Sequence, residues 1–198
     1  ILPVIAYWVS LKGYTIMPST GASSDLLAAM ADGIGDLTFS SAEWVDVARQ
    51  TLQEIVDPYA SSLSGLSHFT LCEVAHNPPA YLQGGALLAW HARFTGAEVE
   101  VDLGELSKNE CDFKISGDHS IISNLARLQY HGRDPETISR ARERLLKLSR
   151  WEIHGELVDN PLLSSLLRRF HDRMATRTMP RFVFMTPEWV STARHILS

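Results

Sequence analysis

The apolar spacing of this chain changes period twice, and that change limits the folds open to it. Between residues 41 and 57 apolar side chains recur at helical intervals. Trp44, Val45, Ala48, Leu52 and Ile55 make one stripe, Ser41 is placed to cap it, and Glu43 lies in the first turn, where the helix dipole favours a carboxylate. Asp57 and Pro58 stop it. From residue 68 the period falls to two: residues 68–74, 87–94, 98–103 and 111–116 are short runs with strand character, separated by Asn77-Pro78-Pro79, Gly84-Gly85, Gly96 and Gly104. After Gly117 the helical spacing returns. Asp118 is placed to cap a helix over residues 120–129, and Asp134-Pro135-Glu136 opens a second that runs to about Ser149. Residues 151–157 read as a last strand. Asn160-Pro161 then starts a third helix with a continuous apolar stripe of Leu162, Leu163, Leu166, Leu167, Phe170 and Met174.

A helix stripe that wide must bury against something apolar, and the face of a sheet is the available partner, so the pattern predicts an α+β fold whose strands run as an antiparallel meander. At 198 residues, with 45% apolar and 21% charged side chains, the chain can bury one core. The expected division is an N-terminal extension or linker over 1–36, the α+β domain over 37–180, and a strand and helix appendage over 181–198. That appendage repeats an earlier pattern: Phe184, Thr186, Glu188, Trp189, Val190, Ala193, Arg194 and Leu197 match Phe39, Ser41, Glu43, Trp44, Val45, Ala48, Arg49 and Leu52 in register.

The net charge of −5 argues against nucleic acid as a partner, since the long-range attraction to phosphate must come from excess Lys and Arg. The basic stretch Arg140, Arg142, Arg144, Lys147 and Arg150 falls at helical spacing and is expected as a solvated helix face. Cys72 and Cys111 stand alone, without CxxC spacing, which argues against a disulfide framework or a zinc site and for a reducing cytoplasm. The N-terminal apolar run lacks the order of a signal peptide, and no stretch reaches the roughly 18 apolar residues of an integral membrane span.

No catalytic residue and no cofactor is expected from the motifs. GxSxG, Walker, HExxH and GxGxxG signatures do not occur. Glu98, Glu100 and Asp102 alternate with Val99, Val101 and Leu103, which places three carboxylates on the wet face of one strand. Asp118 is explained as a cap rather than as the partner of His119. His91 and His154, on strands beside or near tryptophans, and His171 with Asp172, near a helix end, are the remaining acid–base candidates.

The order of these parts carries a resemblance. A helix opening Phe39-Ser40-Ser41-Ala42-Glu43-Trp44-Val45, a strand region with Ala97-Glu98-Val99-Glu100-Val101, and then Ile115-Ser116-Gly117-Asp118-His119 leading into a helix resemble bacterial sterol-carrier-protein-2-like domains, over roughly residues 37–178. The resemblance implies helices over a curved, mainly antiparallel sheet of about five strands. It also implies an apolar tunnel for a lipid-like or steroid-like molecule, lying between the strands and the Leu-rich helix with the Asp118 helix as one wall. The residues expected to line it are Trp90, Phe94, Phe113, Ile115, Leu125, Leu163, Leu167 and Met174. The insertion over 133–150, the N-terminal extension and the final Trp189 helix have no clear counterpart in the family. Two other readings stay open: an enzyme using the same cavity through His91, His154, His171 and Asp172, and a homodimeric interaction module built on the Trp44 and Trp189 helices.

Overall fold

The computed structural model of the chain describes residues 26, 28–32, 35–66, 68–79, 82, 87–148, 150–156 and 159–179. Its centre is one sheet. Strands β1 (Phe69–His76), β2 (Leu87–Thr95), β3 (Glu98–Leu103), β4 (Phe113–Asp118) and β5 (Trp151–Gly155) lie in the order β3-β2-β1-β4-β5. The fold is α+β: a five-stranded sheet covered by helices.

The first three strands form the expected antiparallel meander, but the fourth does not continue it. β4 runs parallel to β1, so the sheet is mixed, with its other pairings antiparallel. The connection explains the difference. A tight hairpin after β3 would force an antiparallel neighbour, whereas a parallel one needs a crossover. Here residues 104–112, which include a 3₁₀ turn at Lys108–Glu110, cross the back of the sheet. There Leu106 and Cys111 pack with Cys72, Val74 and Ala89. The crossing ends at the start of β1, where Asp112 N donates to Thr70 O at 2.9 Å and Thr70 N donates to Asp112 Oδ2 at 2.7 Å.

The helices begin where their caps predict. In α1 (Ala42–Val56) Trp44 N donates to Ser41 Oγ at 3.2 Å, and a 3₁₀ turn leads into the short α2 (Ala60–Leu63). α3 (His119–Leu125) is capped by Asp118, α4 (Pro135–Leu146) by Asp134 and α5 (Pro161–Arg177) by Asn160, each accepting from a backbone N–H of the first turn. α3 stops short of the expected Gln129 because tertiary bonds claim its continuation. Met30 bridges to Leu128, Gln129 N donates to Ala29 O at 2.9 Å, and the buried Arg127 donates to Ala31 O and Thr178 O.

These bonds also place part of the segment before residue 37. Ala29 is fully buried in a small cluster with Ile121, Leu128, Ile138, Ala141 and Leu145 between α3 and α4. The outer face of α4 carries the ion pairs Arg140–Glu136 and Lys147–Glu143, as a solvated helix should. The matching pattern over 181–198 lies outside the described residues.

One face of the sheet meets α1 and α5. Phe69, Leu71, Trp90, Ala92, Phe94, Val99 and Val101 pack there with Trp44, Leu52, Ile55, Leu163, Leu166, Phe170 and Met174. On β3 the alternation is as read from sequence, with Val99 and Val101 inward and Glu98, Glu100 and Asp102 in water. Among the described residues no helix is long and apolar enough to cross a membrane.

Candidate functional site

Cross-strand partners point to the same side of a sheet, so the register gives the composition of the helix-covered face directly. One row across it reads Leu103, Trp90, Glu73, Ile115, Ile153, from β3 through β2, β1 and β4 to β5. Glu73 alternates with Leu71 and Ala75 on the central strand, so it must point where they point. Among the described strand residues of this face it is the only ionisable one. The remainder are Phe, Leu, Val, Ile, Trp, Ala and Gly.

Glu73 Oε2 accepts from Trp90 Nε1 at 3.0 Å, and the indole itself is buried against Trp44 and Phe170 with ring centroids 5.1 and 5.9 Å away. One neutral donor does not solvate a carboxylate that has four acceptor positions. Burial therefore dominates and pushes the Glu73 carboxyl up to about 7, against the smaller opposing effect of the Trp90 bond. Protein surrounds the carboxyl, although the residue as a whole is only half-buried. A buried carboxyl that changes charge near neutrality is the kind of group found in functional sites.

The surroundings come from α5 and the segment after α3. Phe170 packs on Trp90, and the ring of the next residue, His171, meets Tyr130 edge-on at 5.0 Å. Burial raises the Tyr130 phenol, and the charge of Glu73 is one of the smaller contributions in the same direction, so the two groups share one region. Burial also lowers the pKa of His171, favouring the neutral ring, whose Nε2 lies 2.8 Å from Leu128 O.

This apolar row is uncovered at both edge strands: Leu103, the last residue of β3, is 50% exposed, and cover is also lost toward β5. Trp90 is 2% exposed, Ile115 is half-buried and Ile153 is 42% exposed. The next row along, Gly117 and Trp151, borders an open cleft of about 340 Å³ that is also lined by His76, Asp118, Arg150 and Glu152. Gly117 fits closely there: a Cβ would stand 3.2 Å from Ile122 of α3 and 3.2 Å from Trp151, so those side chains would have to give by a few tenths of an ångström.

Of the residues expected to line a tunnel, Trp90, Phe94, Leu163 and Met174 are buried within the packed cluster, while Phe113, Ile115, Leu125 and Leu167 are half-buried around its rim. The acid–base candidates are not brought together. His91 points to the opposite face, where its Nδ1 lies 3.0 Å from Gly104 O. His154 is exposed on that same far side, in register with Lys114. Asp172 accepts from the backbone N–H groups of Tyr130 and His131. Trp44 is 2% exposed and donates from Nε1 to Thr178 Oγ1 at 2.9 Å, so it offers no surface to a second subunit. Trp189 lies outside the described residues.

Sequence reasoning passed over Glu73. Its signal was a single acid inside the otherwise apolar run Leu71-Cys72-Glu73-Val74-Ala75.

No family model and no curated protein matches the chain. Among solved structures it is similar to a solution structure of a conserved hypothetical protein from Thermus thermophilus, described as "possibly sterol carrier protein". The two are 15% identical, the match covers 75% of this chain and 95% of that one, and the TM-score is 0.42.

Proposed function

We propose that the chain is a carrier in the cytoplasm that holds an apolar, lipid-like small molecule, without covalent chemistry, against the helix-covered face of the sheet at its β4–β5 end. One observation carries this reading: the apolar face extends beyond its helical cover, from buried Trp90 through half-buried Ile115 to Ile153 at 42% exposure. Exposed apolar surface that continues into a core marks a place where something binds. Phe113, Ile115, Leu125 and Leu167 would touch the ligand, and Trp90, Phe94, Leu163 and Met174 would be the rigid floor behind them. Burying apolar area gains roughly 25 cal/mol per Å², less the cost of association, so modest coverage already gives useful affinity.

The test is uptake of the uncharged fluorophore N-phenyl-1-naphthylamine by the full chain. Leu167→Glu and Ile153→Glu should each weaken uptake by about tenfold or more while the protein stays folded by circular dichroism. Unchanged uptake by both folded variants would remove the basis for a carrier. A second reading, an enzyme using the same pocket, is favoured by a different observation: a carboxyl at about 7 suits general acid–base work. It predicts turnover of a bound ester that Glu73→Gln abolishes without loss of binding.

A further inference from the structure

We propose that Glu73 is the polar anchor of this site and that it selects an apolar molecule ending in a protonated amine over one ending in a hydroxyl or a carboxylate. This rests on the carrier reading above and specifies what that carrier would take.

The electrostatics around Glu73 are unbalanced. A charge inside a protein is normally paired, because only a partner recovers the cost of its desolvation. Glu73 has no such partner among the described residues. Among the described residues its hydrogen bond is the one from neutral Trp90, and its register neighbours on the flanking strands, Trp90 and Ile115, and on its own strand, Leu71 and Ala75, carry no charge. Among the described residues no cation is hydrogen-bonded or ion-paired to Glu73. Arg142 and Arg168 influence Tyr130 without forming a bond to Glu73, and Lys114 lies on the far face in an ion pair with Glu105 at 2.6 Å. Glu73 is half-buried and so not sealed on every side.

Three end groups can then be compared on one apolar tail. An ammonium supplies both the missing charge and the missing donors. A hydroxyl supplies one donor and leaves the negative charge buried. A carboxylate places a second negative charge beside the first in surroundings that screen it poorly, so one of the two must take a proton. The resulting order is amine, then alcohol, then carboxylate.

The experiment uses the full chain near pH 8, where Glu73 is ionised and an alkylamine is still protonated. Dodecylamine, dodecanol and dodecanoate compete below micellar concentration with bound N-phenyl-1-naphthylamine. Dodecylamine should displace the reporter at concentrations about tenfold below dodecanol, with dodecanoate the weakest competitor. In Glu73→Gln, which keeps the shape and an acceptor for Trp90, the amine should lose about tenfold, dodecanol should change by less than about threefold, and dodecanoate should improve. Glu73→Leu serves as a second variant and should also erase the preference for amine. Dodecanol binding as well as dodecylamine, or an amine preference that survives both substitutions, overturns the anchor while leaving the carrier intact. Failure of the wild-type chain to bind the reporter or any of the three competitors overturns the carrier reading, and the anchor with it.

Discussion

The two ends of the sheet's covered face differ in how completely they are sealed. At the β2–β3 end, Ala92, Phe94 and Val101 have no exposed surface, because α1 lies across β3 and α5 lies beside α1, and the exposure there is confined to Leu103, at the last position of β3. At the β4–β5 end the same face is capped by the short α3, Ile115 is half-buried, and every described residue of β5 is at least partly exposed. Protein interiors are close-packed wherever the cover is complete. Stability should therefore be concentrated at one end, and capacity for a ligand at the other.

The largest expected effect tests the sealed end. Phe94→Ala removes a ring with 0% exposure that packs against Phe69 at 6.1 Å, and it should cost about 3–5 kcal/mol in urea unfolding. A loss below about 1 kcal/mol would mean that this end is not the packed one.

At the open end, the close of β5 packs tightly against the backbone before β4. Gly155 has φ +73°, and a Cβ there would run into the backbone oxygen of Asp112. Gly155→Ala should cost about 3 kcal/mol, combining left-handed strain with a clash that no side chain can relieve. A neutral result would show that β5 shifts freely on β4.

Between the two ends stands Glu73, and its titration joins them. Unfolded, a glutamate titrates at 4.5; folded, this one titrates at about 7. The folded state therefore holds the proton more tightly, and the unfolded chain binds fewer protons between those values. This contribution to stability is complete below 4.5, falls as pH rises through the interval and is gone above 7. The loss is up to about 3 kcal/mol, reduced by whatever water reaches the half-buried group. Urea titrations from pH 4 to 8 should show that decline in the wild type and a flatter profile in Glu73→Gln. Identical profiles would mean that the carboxyl is well solvated.

How much of this was legible depended on whether the determining interaction was local. Ser41, Asp118, Asp134 and Asn160 could be read as caps because a cap involves only its own first turn. The alternation of β3 likewise gave its two faces. The direction of β4 could not be read, since a strand's period is the same in either direction and the parallel pairing depends on how residues 104–112 cross the back of the sheet. β1 hid its carboxyl for a related reason. Both its faces are buried, with Leu71 and Ala75 on one side and Cys72 and Val74 on the other, so the run looks uniformly apolar and the face of Glu73 is undefined until its partners are known. Apolarity alone also could not separate Phe94 and Leu163, which fill the interior, from Ile115 and Leu167 at its rim.

The smallest expected effect on stability tests the comparison most sharply. Ile153 lies in the same cross-strand row as Trp90 and is of the same apolar kind, but it is 42% exposed on an edge strand. If the open end contributes little to folding, Ile153→Ala should change unfolding free energy by no more than about 0.5–1 kcal/mol. If that end holds the ligand, the same substitution should still weaken uptake of N-phenyl-1-naphthylamine by about threefold, the equivalent of losing part of one apolar contact. A core residue would show the reverse ratio, losing stability first and binding only as a consequence. Ile153→Ala with a large stability loss and unchanged uptake would assign β5 to the sealed core, and the contrast between the two ends would not hold.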